Sequence, residues 1–211
     1  MPNIGKLMSG FRVFKATTFP QKKDMIEHLL VQGQKPSTLI ISCSDLRISP
    51  ENIFATNPGE LYVLSNLGGL VPKYSMEGIH GIMSAIEYAV TEIEVENIIV
   101  LGHAKCDAIK IMMSEKFSGG GISKSMKTWL SVAKEARDAV KTQLADKSPE
   151  QQQASCEHES VVVSLYNLME YPYISKRLDE NKLKIFGCYF DIETASIMTF
   201  NPDNGFFEPI S

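Results

Sequence analysis

A single α/β domain, a mostly parallel central β-sheet flanked by helices with an antiparallel edge strand near the C-terminus, is what this sequence predicts, on three observations. Continuous apolar, β-branched runs at 38–42 (TLIIS) and 96–103 (ENIIVLGH) have the character of strands buried on both faces. Segments with apolar residues at helical spacing alternate with such runs. A chain of 211 residues holds one full core, whereas two domains would each fall near the low end of common sizes.

Taken in order, residues 1–30 form an N-terminal helical arm, with a helix through KKDMIEHLLVQG (22–33) that Gly33 ends. The strand TLIIS follows, then an extended segment ELYVLSN (60–66) introduced by the turn signal NPGE. HGIMSAIEYAVTEI (80–93) has helical spacing, and ENIIVLGH is the next strand. SMKTWLSVAKEARDAV (125–140) and SVVVSLYNLMEYPYISKRLDENKL (160–183) read mainly as helices. KIFGCYFDIETASIMTF (184–200) returns as a strand and hairpin. Between these, SGGGIS (118–123) reads as a flexible connector without the features of a phosphate loop, and the Gln-rich stretch 144–160 as a loop or helix junction.

Composition narrows the function classes. With 44% hydrophobic and 22% charged residues the chain is neither disordered nor fibrous. A net charge of -4 argues against nucleic acid or an anionic membrane as partner, since both reward basic patches. No run of about 18 apolar residues and no secretory h-region is visible, so a cytoplasmic protein is expected. In that reducing setting Cys43, Cys106, Cys156 and Cys188 are metal ligands, nucleophiles or core rather than disulfides.

Ligands of such sheets gather at the carboxyl ends of strands. Two loops stand there: SCSDLR (42–47), with Cys43, Asp45 and Arg47, and GHAKCDAI (102–109), with His103 and Cys106 as H-x-x-C. Two thiolates and an imidazole make a zinc-like set of three ligands, the fourth position left open as in catalytic zinc sites. Spacing alone leaves metal binding, plain core and thiol catalysis all open. Cys43 with Arg47 is short for a phosphate-wrapping nucleophile loop and has no Gly-rich cradle. A four-cysteine structural zinc would leave His103 without a partner, and the paired C-x-x-C knuckles of such sites are missing. Asp45 could serve as a fourth ligand or accept a hydrogen bond from a metal-bound water, with Arg47 favouring its ionised form, although an Asp and Arg in one loop are more often a surface ion pair. Cys188 reads as core, Cys156 as exposed, and His28 and His158 as surface positions.

CSDLRISPENIF, NPGELYVLSNLGGLVP, HGIMSAIEYAV, VENIIVLGHAKCDAIK, SVVVSLYNLMEYPYI and LKIFGCYFDIETASI together resemble the β-class carbonic anhydrases in order and spacing over residues 30–200. The resemblance implies one Zn2+ on Cys43, His103 and Cys106, and hydration of CO2 to bicarbonate by a zinc-bound hydroxide. It implies that Asp45 orients that hydroxide and that Arg47 keeps Asp45 ionised and off the metal. Gln34 matches a substrate-binding Gln of a plant-like branch, which suggests a constitutively open site. Tyr62, Leu67 and Tyr88 would line the pocket, and His80 is the candidate proton shuttle. The family builds dimers and higher assemblies with active sites at the subunit interface and N-terminal arms laid across a neighbour, so a homodimer or homotetramer is implied, with Phe11, Val13 and Phe14 candidates for that contact.

The chain departs from the family in three places. Ser65 stands where a structural Arg is usual, Asp107 follows Cys106 where Gly is usual, and Leu46 replaces a small polar residue. An Asp107 that faced the metal would move activity to more alkaline pH. Two other readings share the same residues: a hydrolase of carbonyl sulfide or carbon disulfide, and a non-catalytic bicarbonate-binding or structural zinc protein, against which the intact Asp45–Arg47 pair speaks.

Overall fold

The computed structural model describes residues 4–78 and 81–210, in two compact units, one up to Lys35 and one from Pro36 onward. The first unit is helical: α1 (Ile4–Val13), a π-helical turn over Phe14–Thr18, and α2 (Phe19–Gln32), with no buried side chain in any of the three. Gly33, at φ 80°, caps α2 where the sequence predicts its end.

The second unit is a mixed sheet between helices. Its elements in chain order are β1 (Thr38–Cys43), α3 (Pro50–Ile53), β2 (Leu61–Asn66), α4 (Gly81–Thr91), β3 (Asn97–His103), α5 (Asp107–Met113), α6 (Glu115–Gly119), α7 (Lys124–Leu130), α8 (Lys134–Gln143), α9 (Pro149–Met169), α10 (Pro172–Asp179), β4 (Lys184–Asp191), β5 (Ser196–Asn201) and β6 (Phe206–Pro209). Strand order is β2-β1-β3-β4-β5-β6; the first four are parallel, and β5 and β6 are added antiparallel. The antiparallel part thus has two strands, β6 following the NPDNG turn that the sequence reading did not use. Among the described residues no helix is long and apolar enough to cross a membrane.

The apolar runs are buried on both faces because their side chains alternate between two cores. Leu39, Ile41, Ile98 and Val100 point to one, packed with residues of α4, α9 and α10; Ile40 and Leu101 point to the other. Each such side chain contributes about 1.5–3 kcal/mol by leaving water. α9 comes very close to the sheet: a Cβ on Gly102 would lie 2.5 Å from Val161 Cγ2, and one on Gly187 2.8 Å from Leu165 Cδ1.

The polar stretch 144–160 proves to be mostly helix. Ser148 opens α9 with a capping box, its Oγ accepting the Gln151 N–H and the Gln151 side chain accepting the Ser148 N–H, with Pro149 in the first turn. Buried polar residues blur the helical apolar pattern here: Gln152, Glu157, Ser160, Ser164 and Asn167 all face inward. Cys156 lies among them, fully buried rather than exposed, and His158 is half-buried, stacked on Phe207. Cys188 is core and His28 exposed, as expected from sequence.

α9 and Tyr171, which caps α10, also fix a segment that belongs to no strand. Ser164 Oγ accepts the Val71 N–H (3.2 Å), Asn167 Nδ2 donates to the Val71 carbonyl (2.8 Å), and the Tyr171 hydroxyl donates to the Pro72 carbonyl (2.8 Å).

Candidate metal centre

The two ligand loops meet because they leave the carboxyl ends of adjacent parallel strands. β1 ends at Cys43 and β3 at His103, and the pairing of Ser42 with Leu101 sets these ends side by side. After His103 the chain turns through Ala104 and a left-handed Lys105 (φ 57°), which brings Cys106 back toward the strand end just before α5. The ligand atoms of Cys43, His103 and Cys106 all lie within 4.8 Å of one another, and all three residues are buried.

This group could hold a metal ion, and its geometry suits zinc. The two sulfurs are 3.8 Å apart. Two thiolates at about 2.3 Å from a tetrahedral zinc stand about 3.8 Å from each other. His103 Nδ1 lies 3.0 Å from the Ala104 carbonyl, which orients the ring, while its Nε2 is buried with no hydrogen-bond partner among the described residues. A buried, unpartnered ring nitrogen is costly, and coordination would satisfy it.

Electrostatics prepares the thiols. Hydrogen bonding from Cys106 draws Cys43 well below the ordinary thiol range against the effect of burial, aided by His103 and by the Gly68 N–H, which donates to Cys43 Sγ at 3.3 Å. The same contact, together with burial, pushes Cys106 up. Burial pulls His103 down, but the negative charge of the Cys43 thiolate close by outweighs this and the net shift is upward. One thiol of the pair therefore gives up its proton readily, as a thiolate ligand must.

The loop behind Cys43 is held by Asn66, whose side chain accepts the Leu70 N–H (2.8 Å) and donates to the Leu70 carbonyl (2.9 Å). Gly69 within it is left-handed (φ 64°), and a Cβ there would lie 3.0 Å from the Cys43 nitrogen and 3.1 Å from the Ser42 carbonyl carbon. Gly69→Ala is therefore expected to cost about 1–2 kcal/mol from backbone conformation alone, with displacement of Cys43 added. Denaturant melting checks the first effect; metal titration checks the second. Ser65, the first departure from the family pattern, places its hydroxyl 3.1 Å from that of Ser42.

Asp45 is gripped by its neighbour. Arg47 donates from Nε (2.8 Å) and its backbone N–H (2.9 Å) to Oδ1, and from Nη2 (2.6 Å) to Oδ2. Hydrogen bonding from Arg47 holds the Asp45 carboxyl at about 2, well below the usual range. Arg47 Nη2 also donates to the Lys105 carbonyl at 2.9 Å, tying the two ligand loops together. Asp45 stands outside the three-ligand group.

An open pocket of about 460 Å³ brings Cys43, Asp45 and Arg47 together with Leu67, Asp107 and a fully exposed Leu46. Tyr62 and Tyr88 are not on its wall; they face each other, ring centroids 6.2 Å apart, on β2 and α4. Gln34 is exposed in the first unit, and His80 lies outside the described residues.

One residue near the centre went unnoticed in the sequence. Glu157, 3% exposed, accepts the Cys106 N–H (2.9 Å) and a Gln153 N–H (2.8 Å) at Oε1 and the Tyr189 hydroxyl (2.8 Å) at Oε2. Its trace in the sequence is its spacing: residues 157, 161, 164 and 168 share one face of α9, and all are buried.

Residues 38–197 match the family described as carbonic anhydrase. Over 189 residues the chain is 33% identical to beta carbonic anhydrase 3 of Arabidopsis thaliana, covering 89% of this chain and 73% of that protein. Among solved structures it superimposes on the beta-carbonic anhydrase CcaA with a TM-score of 0.92 at 28% identity, over 98% of this chain and 99% of that one. A tetrameric beta-carbonic anhydrase from the filamentous ascomycete Sordaria macrospora gives 0.83 at 25% identity, over 94% and 96% of the two chains.

Proposed function

Because the chain belongs to the β-carbonic anhydrase family, and is accordingly a carbonic anhydrase enzyme, we propose that it catalyses the reversible hydration of CO2 to bicarbonate and a proton with one Zn2+ held by Cys43, His103 and Cys106. The observation that carries this reading is the 3.8 Å sulfur separation beside an unpartnered, buried His103 Nε2. When bound, zinc supplies a Lewis acid that ionises water near neutral pH.

The chain's own groups do the rest. Asp45, ionised and held at both oxygens by Arg47, keeps further lone pairs to accept a hydrogen bond and so orient the nucleophile toward the carbon of CO2. Arg47 engages the carboxylate that would otherwise compete for the metal, in keeping with an open site. Leu67 offers the linear, uncharged substrate an apolar wall. In a homodimer or homotetramer, Gln34, Tyr62 and Tyr88 would bind substrate at the subunit interface, His80 would pass the proton to buffer, and residues 1–30 would be the arm of a single catalytic domain.

Asp107 begins α5, exposed, on the same wall as Asp45 and Arg47. Its negative charge disfavours an anionic nucleophile, so Asp107→Gly is expected to move the midpoint of the pH-rate profile to lower pH. An unchanged midpoint would show that the side chain turns its charge away from the reaction.

Stopped-flow CO2 hydration, with zinc determined in the same sample, tests the proposal. Fast hydration with about one zinc per chain is expected. Zinc without CO2 hydration, but with hydrolysis of carbonyl sulfide, would change the substrate; a protein that takes up no zinc would overturn the reading.

A further inference from the structure

The Lys105–Cys106 peptide group is gripped at both of its polar ends. Its carbonyl oxygen accepts from Arg47 Nη2 at 2.9 Å, and its N–H donates to Glu157 Oε1 at 2.9 Å. The grip falls where the backbone most needs it, since Lys105 is left-handed and carries a Cβ. From this peptide the Cys106 side chain projects to meet Cys43 and His103.

We infer that Glu157 is a positioning residue for the metal: by accepting the Cys106 N–H from below, opposite Arg47, it fixes the orientation of the peptide that aims the Cys106 sulfur and so sets how long bound zinc is retained. The inference rests on the zinc reading given above. Glu157 is itself fixed by two further side chains, Gln153 one turn earlier on the same helix and Tyr189, through its hydroxyl, on β4. All three contacts are accepted by its oxygens; an amide could keep the Cys106 N–H by donating to the Tyr189 oxygen instead, whereas an alanine leaves that N–H without its acceptor. The consequence for the metal centre is loss of aim rather than loss of a ligand, as for other outer partners of metal-binding side chains.

The test follows zinc release from the loaded, full-length protein into excess chromophoric chelator, together with melting of the loaded and the metal-free forms. Glu157→Ala is expected to release zinc about 10- to 100-fold faster than wild type. Tyr189→Phe, which removes one of the contacts fixing Glu157, is expected to change release in the same direction by less. In both variants the rise in Tm on zinc loading should shrink. Release at the wild-type rate in both, or equal losses of Tm in loaded and metal-free forms, would overturn the inference; if Glu157→Ala does not fold, Tyr189→Phe decides on the same criteria. A wild-type protein that takes up no zinc would remove the metal centre itself, a failure distinct from wild-type release rates in zinc-loaded variants.

Discussion

Asp45→Asn is expected to lower kcat/KM for CO2 hydration by about 10²-fold or more while leaving zinc at about one per chain. The reason is in the bonds it makes. Both carboxylate oxygens accept from Arg47, one of them twice. An amide can satisfy only one side of that fork and must set its NH2 against a guanidinium donor, so both the acceptor and its orientation are lost. The three ligands are untouched, and this separates the loss from metal loss. Stopped-flow rates and zinc content on one preparation check it; hydration at the wild-type rate would remove Asp45 from the mechanism.

The other large effect is on stability. A site whose ligands come from two loops binds metal only in the folded chain, so saturating zinc adds RT ln(1 + [Zn]/Kd), about 4 kcal/mol at 1,000-fold excess over Kd. For a chain of this size that is roughly 8–16 °C in Tm. Chelation is expected to lower Tm by that amount in wild type and by little in Cys43→Ser, which should carry almost no zinc. Equal shifts on chelation in both would mean that the stabilising metal lies elsewhere.

What could be read from sequence follows the strength of local signals. β1 and β3 were legible because unbroken apolar runs, three residues in β1 and four in β3, set between cores on both faces, leave few alternatives. Cys43, His103 and Cys106 were legible because a parallel sheet places successive loops at one edge, so motifs distant in sequence become neighbours by rule. α9 was hidden at its start because Gln152, Glu157 and Ser160 occupy inward positions where an apolar pattern would have revealed the helix; the SPEQ capping box was the signal to use. Glu157 could not be singled out by type, since a glutamate in polar company is ordinarily solvated. The bond from Arg47 to the Lys105 carbonyl depends on a left-handed turn at a lysine, which composition does not announce.

The Val71 segment has a consequence for motion. It lies outside every strand and helix, yet its amide and carbonyl are both bonded to side chains of α9, one turn apart. Exposing that amide to solvent therefore requires α9 to lift from the sheet, an opening that would also separate Val161 and Leu165 from the glycines beneath them. Although irregular in form, this segment is expected to exchange its amide as slowly as the core strands do, because it opens only when the core does.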